Sequence, residues 1–288
     1  MDLSKTLVLG FIAGVTIVLG LPIARLKRPA PSLRLFLNAT AVGVLLFLVW
    51  DVLTHAWAPI DSALTAAHAK TGGLAPVFVY GTLFAGGLAV GLLSLVSYER
   101  YTKGRTPLRP GPGAMSVHEW SSGRTGLAAW SEARRLALLI AVGIGLHNFA
   151  EGLAIGQSAA SNEVALATVL VIGFGLHNAT EGFGIVAPLT DDLDEAGDVR
   201  RPSWPFLLTL GLIGGGPTFV GAAIGHGFTS AAVSIVFLTL AAGSILYVVV
   251  QLLGVAAKAK RPDVLAYGLL IGVLAGFITD AIVTAGGA

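Results

Sequence analysis

His147 and Glu151 stand four residues apart, with Asn148 beside the histidine. On a helix that spacing separates two side chains by about 40° in azimuth and one turn in height, so an imidazole and a carboxylate can meet on one ion. Asn148 lies about 100° around from His147, at the edge of the same face, where its amide can ligate or hydrogen-bond a ligand. His177, Asn178 and Glu181 repeat the arrangement thirty residues later. Two imidazoles and two carboxylates, with amide oxygens in reserve, suit zinc, iron(II), manganese or cobalt, whereas calcium and magnesium prefer more oxygen. The chain has no cysteine and only two methionines, which excludes disulfides, thiolate zinc sites and soft copper sites.

The elements that carry these residues are apolar. Of the 288 residues, 55% are hydrophobic and 12% charged, too few polar groups to cover a water-soluble surface. Runs long enough to cross about 30 Å of hydrocarbon lie near 6–25, 33–57, 76–98, 134–159, 163–189, 205–228, 231–257 and 264–285. The expected fold is an all-α integral membrane protein of eight transmembrane helices, a single domain over 1–288. The first run is too long for a signal peptide and is followed by Pro22 and basic residues, so it is expected to remain as a helix. Both motifs fall near mid-helix, where a carboxylate costs about 2.5 to 3.5 kcal/mol on insertion scales. Polar residues of a single motif could serve only to join helices by hydrogen bonds; two copies with identical polar residues point to a metal.

Lys and Arg set the expected orientation. Arg25, Lys27, Arg28 and Arg34 follow the first span, and Arg100, Lys103, Arg105, Arg109, Arg124, Arg134 and Arg135 surround the third connection. Arg200, Arg201, Lys258, Lys260 and Arg261 fall on the same side, while only Lys5 and Lys70 fall opposite. These charges address topology, not nucleic acid: both termini are expected outside, with 101–133 a flexible cytoplasmic loop. The acidic run Asp191, Asp192, Asp194, Glu195 and Asp198 reads as a solvated tether.

Internal repetition organises the chain. Gly143-Ile-Gly-Leu-His-Asn-Phe-Ala-Glu-Gly152 recurs as Gly173-Phe-Gly-Leu-His-Asn-Ala-Thr-Glu-Gly182 on the next, antiparallel span. In the second and seventh spans, Ala41, Gly43, Leu46 and Val49 match Ala241, Gly243, Leu246 and Val249, with Asp51 opposite Gln251. The first and sixth match more faintly through Gly10, Ile12, Gly14, Gly20 and Ile23 against Gly211, Ile213, Gly215, Gly221 and Ile224. The expected architecture is an inverted repeat of spans 1–3 and 6–8 around a central fourth and fifth pair, an arrangement typical of transporters that open a midplane site alternately to either side. The glycines of the motifs, Gly143, Gly145, Gly152, Gly173, Gly175 and Gly182, are expected to let the central pair approach closely.

Outside the motifs, Asp51 and His55 repeat the four-residue spacing near the outer end of the second span and form a candidate entrance site. His68 and His226 read as solvated, and Asp280, an acid within the last span, is read either as a pairing or capping residue or as a functional one.

At the two motifs the sequence resembles the ZIP (Zrt/Irt-like) family of divalent metal transporters, whose fourth helix reads His-Asn-x-x-Glu-Gly and whose fifth carries a related motif. Eight spans, outward termini, a long third connection and the run Ala241-Ala-Gly-Ser-Ile-Leu-Tyr247 extend the likeness over most of the chain. The resemblance implies that His147, Asn148, Glu151, His177 and Glu181 ligate metal and that transport is uptake into the cytoplasm. Asn178 completes the expected metal set. The sequence departs from the family at Ala150 and Thr180, where each motif usually holds Pro, at Asn178, where many members are acidic, and at Gly216, where Glu is common before Pro. The last two remove charge from a second metal position, so one ion is expected.

The expected function is alternating-access uptake of a divalent transition metal, zinc foremost, with iron, manganese, cobalt or cadmium as further substrates. The ion and the lipid bilayer are the expected partners, assembly as a homodimer is compatible with the sequence, and the expected location is a prokaryotic plasma membrane. The alternative is a membrane-embedded metalloenzyme using the same His/Glu cluster. It is disfavoured by the thin supply of histidine and the lack of a His-Glu-x-x-His motif.

Overall fold

A computed structural model describes residues 1–25, 31–104, 130–160, 164–192, 200–227 and 230–285. Among them are eight α-helices and no strand: α1 Leu3–Val15, α2 Pro31–His68, α3 Ala75–Gly104, α4 Glu132–Ala160, α5 Val164–Val186, α6 Trp204–Gly225, α7 Ala231–Ala257 and α8 Pro262–Ala285. Seven segments are long and apolar enough to cross a membrane, α1 doing so together with the 3₁₀ turns that follow it. The helix outside that set is α5, which carries the second motif. The chain is thus an all-helical, membrane-embedded protein. Most of the connection at 101–133 and of the acidic run lies outside the described residues.

Local chemistry accounts for several boundaries. Asp2 caps α1 by accepting from the Lys5 amide at 2.9 Å. The α-helical part of α1 stops at Val15, where the β-branched run Thr16–Ile17–Val18 begins and the Thr16 hydroxyl donates to the Ala13 carbonyl at 2.7 Å. The chain continues as 3₁₀ turns over Thr16–Leu19 and Leu21–Arg25. Helix α2 runs eleven residues past the hydrophobic limit at 57, through Pro59, because Ala58, Ala63, Ala66 and Ala67 favour helix where hydropathy has ended. It closes at Lys70, whose φ of 57° turns the chain so that the amides of Thr71 and Gly72 bond the Ala66 carbonyl.

The helices form two groups, α1, α4, α5 and α6 in one and α2, α3, α7 and α8 in the other, with α4, α5, α2, α7 and α8 meeting between them. Glycines set the closest crossings. Gly43 on α2 lies against Leu269 and Gly272 on α8, and Gly243 on α7 lies against Leu88 and Gly91 on α3. Gly14 faces Gly215 across α1 and α6. The motif glycines behave differently from the expectation that they draw α4 and α5 together. Gly145 and Gly152 seat α4 on α6, Gly143 faces Ser244 and Val248 of α7, and Gly175 and Gly182 seat α5 on the segment after α1. The reason is azimuth: seven residues bring Gly152 back to within about 20° of Gly145, whereas His147 lies about 160° away from it.

At the end of the bundle away from the termini, Leu45, Leu95, Ile140, Ile185, Tyr247 and Leu252 belong to one apolar core. Two basic residues tie the first group together there. Arg25 donates to the Pro202 carbonyl and lies over the Trp204 ring, and Arg134 pairs with Asp192 at 2.9 Å and lies over Phe206. Asp192 is therefore buried and paired where a solvated tether was expected, because α4 brings a guanidinium to the end of the 3₁₀ turn after α5. Asp194, Glu195 and Asp198 lie outside the described residues.

Candidate metal centre

Helix α4 presents His147 and Glu151 one turn apart, and α5 presents His177 and Glu181 the same way. All four are buried, Glu181 completely. Glu151 Oε1 lies 2.9 Å from His147 Nε2 and is also in contact with His177 Nε2. The His147 contact is off the line of a hydrogen bond, so that nitrogen has no hydrogen-bond partner despite the short distance. Glu181 Oε1 is 3.8 Å from His147 Nε2, and the two imidazole centroids are 6.1 Å apart. His147, Glu151 and His177 each offer a ligand atom, and these lie within 4.8 Å of one another. The protein thus has a buried cluster of two imidazoles and a carboxylate compatible with a metal ion.

The asparagines are held by backbone. Asn148 Nδ2 donates to the Gly214 carbonyl of α6 at 2.9 Å, and Asn178 Nδ2 donates to the Ala13 carbonyl of α1 at 3.0 Å. Each amide is thereby fixed with its oxygen left as an acceptor. The Oδ1 atoms of Asn148 and Asn178, both oxygens of Glu181, and Glu151 Oε2 are buried without a hydrogen-bond partner. Such a concentration of unmet acceptors is unusual in a folded interior, where most buried polar atoms are paired. It supplies negative potential and lone pairs.

The cluster lines a cavity of about 800 Å³ that continues past Gln157 and Ser158 of α4 and Phe174 of α5 towards the end of the bundle holding both termini. Asp51, His55 and Asp280 line the same cavity. His55 Nδ1 lies 3.4 Å from Asp51 Oδ1 and 2.9 Å from the Asp51 carbonyl. The pair read from sequence as an entrance site therefore shares one space with the central cluster. Asp280, from the far end of the chain, stands on that wall; its only sequence signal was an acid inside an apolar span. His68 is the exposed last residue of α2, and His226 meets the Thr6 hydroxyl at 3.1 Å, so His226 is engaged where it was expected to be solvated. Gly216 lines a separate apolar groove beside α1 and α4, not this cavity.

These features define a class, a helical membrane protein with a buried, metal-competent His/Glu cluster at the floor of a cavity. No protein-family model matches the chain, and no significant match to a curated protein is found.

Proposed function

We propose that the protein is an eight-span transporter that takes up a divalent transition metal, zinc foremost, in the manner of the ZIP family that its motifs resemble. The observation that carries this reading is the His147–Glu151–His177 cluster, buried between helices yet reached by a cavity from the end of the bundle that holds the termini. A soluble or purely structural role gives no reason to bury Glu181 with both oxygens unpaired. In the proposed site His147, Glu151, His177 and Glu181 bind one four-coordinate ion, with the oxygens of Asn148 and Asn178 beside it. Asp51 and His55 receive the ion at the outer mouth.

An inverted relation between spans 1–3 and 6–8 is supported by paired contacts. The α2–α8 crossing at Gly43 and Gly272 has a counterpart in the α7–α3 crossing at Gly243 and Gly91. The bond from Asn148 to Gly214 on α6 has its counterpart in that from Asn178 to Ala13 on α1. Two halves related in this way can expose one site to each side in turn. The open cavity towards the termini and the apolar core at the opposite end correspond to one such state, open to the outside.

Uptake of zinc into sealed proteoliposomes, with iron(II), manganese, cobalt and cadmium as competitors, tests the reading. Saturable flux that Glu151→Ala abolishes is the expected result; binding without flux would refute it. The cavity's many apolar wall residues favour a membrane metalloenzyme as the second reading, and the same flux measurement separates the two.

A further inference from the structure

The paired glycine crossings align the two halves residue by residue. Gly43 of α2 falls on Gly243 of α7, and Gly272 of α8 falls on Gly91 of α3. Carried one or two turns along each helix, the same offsets place Phe47 on Tyr247, Asp51 on Gln251 and Asp280 on Glu99. Phe47, Asp51 and Asp280 line the open cavity. Their counterparts at the opposite end are closed on one another: Tyr247 Oη and Gln251 Nε2 each donate to Glu99 Oε2 at 3.1 Å, and among the described residues Tyr247 is the largest fully buried side chain. Around them Leu95, Val248 and Leu252 are buried in the apolar core.

We propose that Glu99, Tyr247 and Gln251 form the closed inner gate of the path, with Glu99 the carboxylate that meets the dication once the gate opens. This rests on the transporter reading. The Tyr247 ring fills the space that the outer half leaves open beside Phe47, and Glu99 holds the ring in place through its hydroxyl. When the halves exchange states, the Glu99 oxygen released by Tyr247 and Gln251 faces the new cavity as Asp280 faces the present one. The two mouths then differ in charge. The outer one has Asp51, His55 and Asp280, whereas the aligned inner positions hold Gln251, Val255 and Glu99. A single carboxylate holds a dication less tightly than two with an imidazole, which favours release on the inner side.

Because the chain contains no cysteine, single introduced thiols report the state of each end. Ala154→Cys marks the open cavity and Val248→Cys the closed core, and both are titrated with a charged methanethiosulfonate reagent on the purified full-length protein. Adding Glu99→Gln should raise the labelling rate at Val248→Cys and lower that at Ala154→Cys, each by about tenfold, the effect of one hydrogen bond to a charged acceptor. Tyr247→Phe, which removes only the hydroxyl and keeps the packing, should shift both rates in the same directions. Unchanged rates in both backgrounds would overturn the gate, as would faster labelling at Val248→Cys with Ala154→Cys unaffected, since that is local loosening. Zinc flux measured in parallel keeps the two proposals apart. Absent flux with opposed labelling changes sinks the transporter alone, and wild-type flux with no labelling change sinks the gate alone.

Discussion

Replacing Glu151 by Gln keeps the side chain's shape and removes its charge at the point where both imidazoles converge. Glu151 Oε1 is 2.9 Å from His147 Nε2 and in contact with His177 Nε2, so this one carboxylate oxygen bridges both histidines. A four-ligand zinc site binds with about 10 to 16 kcal/mol near neutral pH, so one ligand carries about 3 kcal/mol. That is roughly a hundredfold in Kd. Metal-free stability should move the other way. The amide can still bond an imidazole nitrogen, and one buried charge is gone, so the unfolding temperature without metal should hold or rise. Competition calorimetry with a zinc chelator gives the affinity, and thermal unfolding with and without zinc gives the stability. A Kd equal to that of the wild type would refute the assignment, because the one carboxylate shared by both histidines would then be irrelevant to binding.

Further outcomes follow from the same geometry. Metal binding should weaken as pH falls, because protons compete with the metal for the imidazole and carboxylate lone pairs; calorimetry in buffers of different ionisation enthalpy should detect released protons. The wild type should bind one ion by elemental analysis. Asn178→Asp adds charge that favours a second ion but sets a carboxylate against the Ala13 carbonyl, so without metal it should unfold with about 1 to 3 kcal/mol less stability. Gly152→Ala should destabilise by about 1 to 3 kcal/mol, since its Cβ would collide with the Thr218 backbone. Gly86→Ala, where nothing lies within 4 Å, should gain up to about 1 kcal/mol in the same unfolding assay.

The apolar runs and the doubled motif were legible because both are local signals. Hydropathy over some twenty residues marks a helix, and a four-residue interval marks a shared face. What escaped depends on neighbours distant in sequence. Nothing near Asn178 announces that its amide would meet Ala13, and nothing near Asp280 announces a wall shared with Asp51. Asp192 looked solvated because its sequence neighbours are acidic, and it is buried because Arg134 arrives from another helix. The motif glycines were assigned to the wrong crossing for a related reason: their spacing shows that one face is smooth, not which helix lies on it. The end of α2 was missed because hydropathy registers the membrane, whereas the alanines beyond residue 57 favour helix without it.

The most direct test is anomalous diffraction at the zinc edge on crystals grown with zinc, in wild type and in Glu151→Gln. The account predicts one strong peak per protomer among His147, Glu151, His177 and Glu181 in the wild type, and its loss in the variant. No peak in that cluster, or a peak that survives unchanged in Glu151→Gln, would contradict it.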